Sequence, residues 1–377
     1  MKAIQPNNPF LIAGYFTPEY FCDREQETEK IITALHNERN VTLIAPRRMG
    51  KTGLIKQVFY KLREKQKKII TLYLDIYSTQ NLNEFVQLFA HTVLGSLDSG
   101  PQKAMNRIGR FIKSCHPVFT FDELTGRPEV SLDVAPAKEE VTLKEIFDYL
   151  KSSEKRCYIA IDEFQQIADY PEKGVEALLR SYIQFLPNIH FIFAGSRQHV
   201  MQEMFLSAKR PFYQSTQTVT IGCIEKEVYF GFADSFFAGQ NRPLSRDVFE
   251  QIYDEFEGHT WYIQVVLNRL YSYPGDIVPE MVNQALNEII AENEYGYQNL
   301  LTAYAAGSVR LMKAIAKERV VIEINAGTFI AKYRLKAASS INTALRTLIR
   351  KEMVYKSDKG YMVYDRFMAI WLRRQAY

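Results

Sequence analysis

The chain has 377 residues, of which 47% are hydrophobic and 24% are charged. This is the balance of an ordinary globular protein, so the disordered, collagenous and coiled-coil classes are excluded. At roughly 150 residues per domain, the length predicts two or three domains. The four cysteines are widely separated and form no C-x-x-C pair, so the sequence predicts neither a zinc site nor a redox disulfide.

The sequence contains no segment typical of targeting or membrane insertion. The N-terminus has no apolar run of signal-peptide length, and 18 consecutive apolar residues occur nowhere. We therefore expect a cytoplasmic protein with no membrane contact.

Strands and helices alternate through the first 222 residues. Short apolar runs predict buried strands at 41–45, 69–76, 157–161 and 190–194, with a fifth candidate at 219–221. Helices are predicted at 24–36, 51–65, 83–97, 143–152 and 174–185, and alternating residues on both sides of 125–127 predict a β-hairpin. This order predicts an α/β core with a mostly parallel sheet.

The remainder of the chain is predicted to be mainly helical. Helices at 225–238, 245–257, 262–271 and 279–294 suggest a small helical domain. Helices at 303–317, 328–333 and 340–351, followed by a hairpin around 357–360, have the outline of a winged helix-turn-helix. The predicted domains are a core at 1–222 with a hairpin insertion at about 98–140, a helical lid at 223–299 and a winged helix at 300–377.

A phosphate-binding loop is the clearest chemical motif. The form G-x-x-x-x-G-K-[ST] is matched between a predicted strand and a predicted helix, with Ala45 in place of the first glycine. Backbone N–H groups and the helix N-terminus would bind phosphate oxygens, Lys51 would contact the β and γ phosphates, and Thr52 would ligate Mg²⁺. The predicted nucleotide-binding residues of the loop are Pro46, Arg47, Arg48, Met49, Gly50, Lys51, Thr52 and Gly53.

Two carboxylates follow the predicted strand at 157–161. Ligands bind at the carboxyl ends of parallel strands, so Asp162 is predicted to hold Mg²⁺ through water and Glu163 to orient or deprotonate the attacking water. At the end of the next strand, Ser196 is predicted either to contact the γ-phosphate or water, or to cap the following helix. Arg24 is predicted to neutralise phosphate or to be solvent-exposed, and Arg210 is a candidate arginine finger or a surface residue.

These motifs together resemble the archaeal-type ATPase family of the STAND branch of AAA+ P-loop proteins. The resemblance rests on Phe-Cys-Asp-Arg-Glu at 21–25, Ala-Pro-Arg-Arg-Met-Gly-Lys-Thr at 45–52, Ile-Asp-Glu-Phe at 161–164, Ala-Gly-Ser at 194–196, Gly-His-Thr-Trp-Tyr at 258–262 and the Tyr-Asp-Arg-Phe ending at 364–367. It implies an ATPase core, a helical lid and a winged helix. It also implies a phosphate-sensing position at His259, where Thr260 replaces the usual proline of that family.

Charge is unevenly distributed between the predicted domains. Residues 301–377 contain 15 Lys and Arg but 5 Asp and Glu, a balance of +10, although the whole chain carries +4.

We expect an Mg²⁺-dependent ATPase that acts as a molecular switch. The bound nucleotide, ATP or ADP, would control the contact between the winged helix and a protein partner. The alternative is an ATP-modulated regulator that binds double-stranded DNA through Ser339, Ser340, Asn342, Thr343, Arg346 and Arg350. A third alternative, a degenerate loop that binds nucleotide and scarcely turns over, is disfavoured by the intact Lys51, Thr52, Asp162 and Glu163.

Overall fold

The computed structural model describes residues 5–66, 68–94, 96–97, 101–115, 117–121, 128–135, 137–357 and 359–375. It contains two compact units, one formed by Ala13–Ile224 and the other by Met1–Ile12 together with Glu225–Tyr377. The N-terminal arm, up to Ile12, therefore belongs to the same unit as the C-terminal part of the chain. The sequence-based prediction had assigned it to the core domain at 1–222.

The first unit is built on a five-stranded sheet in which every pairing is parallel. Its strands are β1 (Asn40–Ile44), β2 (Ile70–Asp75), β5 (Cys157–Asp162), β6 (Ile189–Gly195) and β7 (Thr216–Thr220). Their order across the sheet is β2-β5-β6-β1-β7. The predicted α/β class is confirmed. Because the strands are parallel, their carboxyl ends meet at one edge of the sheet.

Helices cover both faces of this sheet. Alternate residues of β5 show why: Tyr158 and Ala160 belong to one buried cluster, whereas Ile159 and Ile161 belong to another. The helices of the first unit are α1 (Glu25–His36), α2 (Lys51–Lys65), α3 (Leu82–Val93), α4 (Pro101–Phe111), α5 (Glu139–Lys151), α6 (Val175–Ile183) and α7 (Gln198–Leu206), with 3-10 turns at Pro18–Tyr20 and Phe164–Asp169. The first cluster includes residues of α1 and α2, and the second includes residues of α3, α5 and α6.

The segment between α3 and α5 contains the predicted hairpin. Strands β3 (Pro117–Phe121) and β4 (Pro128–Leu132) pair antiparallel in a separate two-stranded sheet, while the predicted turn at 125–127 lies outside the described residues. The sequence prediction missed α4. Ala104 and Ile108 of this helix, and Ile112 immediately after it, recur at four-residue spacing and are all buried, but the surrounding prolines concealed this helical period.

The second unit begins with helices and ends with a winged helix. Its helical part consists of α8 (Lys226–Ala238), α9 (Arg246–Glu255), α10 (Thr260–Ser272) and the 24-residue α11 (Pro279–Thr302). The winged helix consists of α12 (Ala306–Glu318), α13 (Gly327–Lys332), α14 (Ala338–Arg350), β8 (Val354–Ser357), β9 (Gly360–Val363) and α15 (Arg366–Arg374). β8 and β9 pair antiparallel, and an isolated bridge joins Val321 to Tyr361.

The helical part and the winged helix are joined by polar and aromatic contacts. Glu255 accepts hydrogen bonds from Arg319 and Arg373, and Glu257 lies 3.1 Å from Arg366. The ring of Phe367, on α15, also packs against Phe256 and Tyr262, with centroids 5.3 and 5.1 Å away. These contacts explain why the two parts form one compact unit.

The N-terminal arm is anchored within the second unit. The Nδ2 atom of Asn8 donates to the carbonyl of Asn268, and Asn268 donates in return to the carbonyl of Phe10. The fully buried Phe10 ring packs against aromatic side chains of α8 and α10. Within the described residues, no helix combines the length and the apolarity that a membrane crossing needs.

Candidate active site

The phosphate-binding loop connects β1 to α2, as its motif requires. Helix α2 begins at Lys51, and its N-cap residue Gly50 has a φ of +87°. Arg48 also adopts a left-handed conformation, with a φ of +66°. Glycine takes this conformation without the strain that a Cβ would add. The loop therefore ends at the N-terminus of a helix, where backbone N–H groups and the helix dipole favour an anion.

Asp162 is connected to the loop through Thr52. It is the last residue of β5, and its Oδ2 accepts a hydrogen bond of 2.8 Å from the Thr52 hydroxyl. Its Oδ1 accepts a hydrogen bond of 3.0 Å from the backbone N–H of Glu163. The carboxylate is therefore fixed in orientation next to the residue predicted to ligate Mg²⁺.

Glu163 lies between Lys51 and Ser196. Its Oε1 is 3.5 Å from the Lys51 ammonium, and its Oε2 accepts hydrogen bonds from the Ser196 hydroxyl at 2.7 Å and from Gln165 Nε2 at 2.5 Å. Strand β6 separates β1 from β5, so Ser196, immediately after β6, lies between the loop and the carboxylates. The structure thus brings together the predicted lysine, both carboxylates and the predicted serine.

The contacts of Glu163 determine its charge state. Burial raises the pKa of its carboxyl group, but the Lys51 ammonium and the hydrogen bonds from Ser196 and Gln165 outweigh burial and leave the pKa below its ordinary value. Glu163 is therefore ionised at neutral pH. An ionised carboxylate at this position can accept a proton or a hydrogen bond from water.

Ser196 does not cap the helix that follows it. Arg197 is the N-cap residue of α7, and no side chain there accepts a capping bond. The Ser196 hydroxyl instead donates to Glu163. Of the two predicted alternatives, the structure therefore places this side chain among the catalytic candidates.

The other predicted loop residues differ in their surroundings. Met49 is buried in the core between the sheet and α2, Pro46 and Arg47 are half-buried, and Arg48 is exposed. The Arg47 guanidinium lies 5.5 Å from the centre of the Tyr77 ring. At Gly53, an added Cβ would lie 2.7 Å from the Phe21 ring, so close packing against this ring also favours glycine at this position.

In the described part of the chain, Arg24, Arg210 and His259 contact residues other than Lys51 and Glu163. Arg24 is buried, contrary to the solvent-exposed alternative, and its guanidinium donates to Glu27 and to the carbonyl of Gly222. Arg210, the candidate finger, lies 2.6 Å from Glu176. His259 belongs to the second unit.

The environment of His259 keeps its imidazole neutral. Burial, together with the positive charges of Arg366 and Lys359, lowers the pKa of His259 to about 4. Its Nε2 lies 3.5 Å from the Arg366 guanidinium, and its ring packs against Tyr262.

Sequence reasoning missed three residues of the site, namely Tyr73, Gln165 and Gly195. The Tyr73 hydroxyl donates to Asp162, and Gln165 donates to Glu163. A Cβ on Gly195 would overlap Gln165 and Met201, so this glycine makes room for the glutamine. Only Gly195 carried a signal, because a glycine at the end of a buried strand often marks close packing.

The donor set suits an Mg²⁺ ion that arrives with a nucleotide. Mg²⁺ usually binds through one or two protein oxygens together with substrate phosphates and water. Thr52 and Asp162 supply such oxygens next to the phosphate-binding loop. Among the described residues, no group of three or more His, Cys, Asp and Glu side chains forms a ready-made metal site.

The parallel sheet, the phosphate-binding loop and the paired carboxylates define a P-loop NTPase core. Comparison of the sequence with known families gives a more specific result, because residues 21–266 match a family described as an ATPase domain predominantly from Archaea. The chain belongs to this ATPase family. Residues 295–374 match a second family, described as a probable winged helix domain.

Known proteins similar to this chain share its architecture. An uncharacterised ATP-binding protein of Methanocaldococcus jannaschii is 24% identical over 303 residues, which cover 73% of this chain and 77% of that protein. A Walker-type ATPase of Pyrococcus abyssi has a TM-score of 0.66 at 18% identity, covering 97% of this chain and 99% of that one. The ORC2 protein of Aeropyrum pernix, solved in ADPNP–ADP complexes, has a TM-score of 0.55 at 13% identity, covering 93% and 92%. The ORC1 protein of the same organism, solved in complex with DNA, has a TM-score of 0.54 at 11% identity, covering 97% and 96%. At these identities the structural likeness concerns the fold.

Proposed function

We propose that this protein binds ATP with Mg²⁺ and hydrolyses it to ADP and phosphate. The observation that carries the proposal is the cluster in which Lys51 contacts Glu163 while Thr52 contacts Asp162, at the carboxyl edge of the sheet and the N-terminus of α2. Membership of the archaeal ATPase family supports it. The Methanocaldococcus relative is described as an ATP-binding protein, and the ORC2 protein was solved with nucleotides, which supports the same function.

Each residue of the cluster has a role that its contacts suit. The loop N–H groups and Lys51 bind the β and γ phosphates, and Thr52 with Asp162 holds Mg²⁺, which would stabilise charge on the phosphates. Glu163 accepts the proton of the attacking water, while Ser196 holds Glu163 Oε2 at 2.7 Å. Arg24 binds Glu27 and Gly222, which favours a structural role over direct phosphate contact.

We further propose that the protein acts as a nucleotide-dependent switch of the STAND type. A ligand shifts a conformational equilibrium only by its difference in affinity for the two states, and the γ-phosphate would supply that difference. The contacts of Glu255 and Glu257 hold the helical part and the winged helix together. We therefore expect the second unit to respond to nucleotide as one body and to present the winged helix to a protein partner.

Binding of duplex DNA is the second candidate, favoured by the exposed face of α14. Ser339, Ser340, Thr343, Arg346 and Arg350 are all exposed on this helix, in a region with a net charge of +10. The structurally similar ORC1 protein was solved in complex with DNA. Against this candidate, Asn325 already donates to the Asn342 amide oxygen, and Arg346 Nε donates to the backbone of its own helix. These bonds leave few groups to recognise bases, so we favour the protein partner.

Calorimetric titration with ATP and Mg²⁺ tests the proposed binding site. The variant Lys51→Ala removes the ammonium and should lower ATP affinity at least about tenfold, since a charge-assisted bond to phosphate is lost. The matched control is Lys65→Ala, an exposed lysine in the last turn of the same helix, which should bind ATP like the wild type. Equal affinity in both variants would contradict the assignment.

A further inference from the structure

Tyr73 contacts the predicted metal-binding carboxylate from a neighbouring strand. It lies on β2 in register with Ala160 of β5, and its hydroxyl donates to Asp162 Oδ2 at 2.9 Å. The same oxygen accepts the hydrogen bond from Thr52. A tyrosine and the predicted Mg²⁺ ligand therefore converge on one carboxylate oxygen.

The hydrogen bonds of Asp162 fix the orientation of its carboxylate. An ionised carboxylate offers about four acceptor positions. Thr52 and Tyr73 donate to Oδ2, and the N–H of Glu163 donates to Oδ1. The hydroxyl of Tyr73 is thus one of three described donors that set the plane of this carboxylate next to Thr52.

The ring of Tyr73 is fixed by its neighbours, so that its hydroxyl stays directed at Asp162. Its ring is held by Lys56, whose ammonium lies 3.9 Å from the ring centre and which follows Thr52 by one turn of α2. The aromatic ring thus packs beneath α2 with its hydroxyl at the site.

We propose that Tyr73 is a positioning residue, which orients the Asp162 carboxylate for the Mg²⁺ ion that binds with ATP. The inference rests on the proposed Mg²⁺–ATP function and adds a residue that neither the sequence motifs nor the family match identifies. Removing the partner of a metal ligand typically lowers metal affinity about 10- to 100-fold. The hydroxyl of Tyr73 should therefore matter for the metal more than for the nucleotide.

The test is ATP binding by Tyr73→Phe, measured by calorimetry across a range of Mg²⁺ concentrations and in excess EDTA. We expect the Mg²⁺ concentration for half-maximal enhancement of ATP affinity to rise about tenfold, with the affinity in EDTA unchanged. The matched control is Tyr158→Phe, because Tyr158 lies buried on the same face of the sheet, four residues before Asp162. Its Mg²⁺ dependence should equal that of the wild type.

The outcomes separate this inference from the function on which it rests. If wild-type ATP affinity depends on Mg²⁺ and Tyr73→Phe shows the same dependence, Tyr73 only packs in the core and the inference is overturned. If the wild type binds ATP equally well with Mg²⁺ and in EDTA, the proposed metal site is itself overturned, and the inference with it. Thermal unfolding without ligands checks the fold, and Tyr73→Met is a second variant that keeps an apolar side chain of similar reach without the hydroxyl.

Discussion

Lys51 and Glu163 form an ion pair in the first unit, with the ammonium nitrogen 3.5 Å from Oε1 and both side chains largely buried. The lysine is the predicted phosphate ligand, and the glutamate is the predicted base. Phosphates that bind the ammonium would compete with the carboxylate for it. Nucleotide binding and the release of Glu163 are therefore expected to be linked.

Ser196→Ala should shift the pH dependence of phosphate release. The Ser196 hydroxyl stabilises the ionised form of Glu163, whose pKa is lowered, so its loss should raise that pKa. Activity that needs the carboxylate is lost as pH falls through the pKa, and this acid limb should move to higher pH in the variant. Single-turnover phosphate release between about pH 4.5 and 8 measures the shift. The exposed Ser181→Ala is the control, and coincident acid limbs in the two variants would exclude the positioning role.

Gly195→Ala should destabilise the first unit. The added Cβ would overlap both Gln165 and Met201, which are buried, and overpacking of this kind costs about 1–3 kcal/mol. Gly109→Ala is the matched control, because an added Cβ there meets no atom within 4 Å on helix α4. Thermal unfolding should show a lower midpoint for Gly195→Ala and an equal or higher one for Gly109→Ala. If Gly195→Ala unfolds at the wild-type midpoint, the Gln165 and Met201 side chains move away from the added Cβ without loss of stability.

His259→Gln should make the second unit less sensitive to acid. The folded pKa of His259 is about 4, below its ordinary value, so the unfolded chain takes up a proton that the folded chain does not. Stability conferred by the neutral ring is fully present above about pH 6.5 and is lost as pH falls toward 4. Between pH 7 and 4.5 the wild type should lose about 2 kcal/mol more than the variant.

Tryptophan fluorescence during denaturant unfolding isolates this effect. Trp261 and Trp371 are the two tryptophans of the chain, and both lie in the second unit. The exposed His36→Gln, in the first unit, is the control and should follow the wild type. Parallel pH profiles for wild type and His259→Gln would mean that the ring takes up its proton as readily in the folded protein as in the unfolded chain.

Much of the fold follows from local sequence signals. The predicted bounds of α2 agree with the structure, and β5 extends the prediction by one residue, because their apolar residues repeat with clear helical and buried-strand patterns. Helix α4 was missed, since nearby prolines hid its periodicity, and α7 was expected as the helix after Ser196 but without bounds. Helix α11 continues to Thr302, past the predicted end at 294. The prediction stopped short because the second half of this helix is exposed and carries few apolar residues to mark a helical period.

The site was predictable only where one motif fixes one position. Lys51, Thr52, Asp162 and Glu163 follow from the loop and from the end of a strand. Tyr73 and Gln165 could not be predicted, because their roles depend on which strands are neighbours and on how the chain turns after Glu163, which has a φ of +55°. Such contacts arise from tertiary structure and leave no local spacing in the sequence.

Reversing the charges of Arg346 and Arg350 distinguishes DNA from protein as the partner of α14. If α14 binds a duplex, the double variant with Glu at both positions should flatten the log–log salt dependence by about two units, since two phosphate contacts are lost. The control carries Lys65→Glu and Lys68→Glu, two exposed charges of the first unit. We expect the two double variants to bind duplex equally weakly, as a protein-contact role predicts. If duplex binding depends steeply on salt in the control but not in the Arg346 and Arg350 double variant, the DNA alternative is established.

Phosphate release by Glu163→Gln is the most direct test of the proposed ATPase site. The amide is nearly isosteric with the carboxylate, so the fold and the Asp162–Thr52 contact should survive, but the amide cannot accept the proton of the attacking water. The variant should bind ATP and Mg²⁺ at least as tightly as the wild type, while phosphate release falls by about 100-fold or more. Wild-type phosphate release by Glu163→Gln would contradict the account, because the base would then be another group.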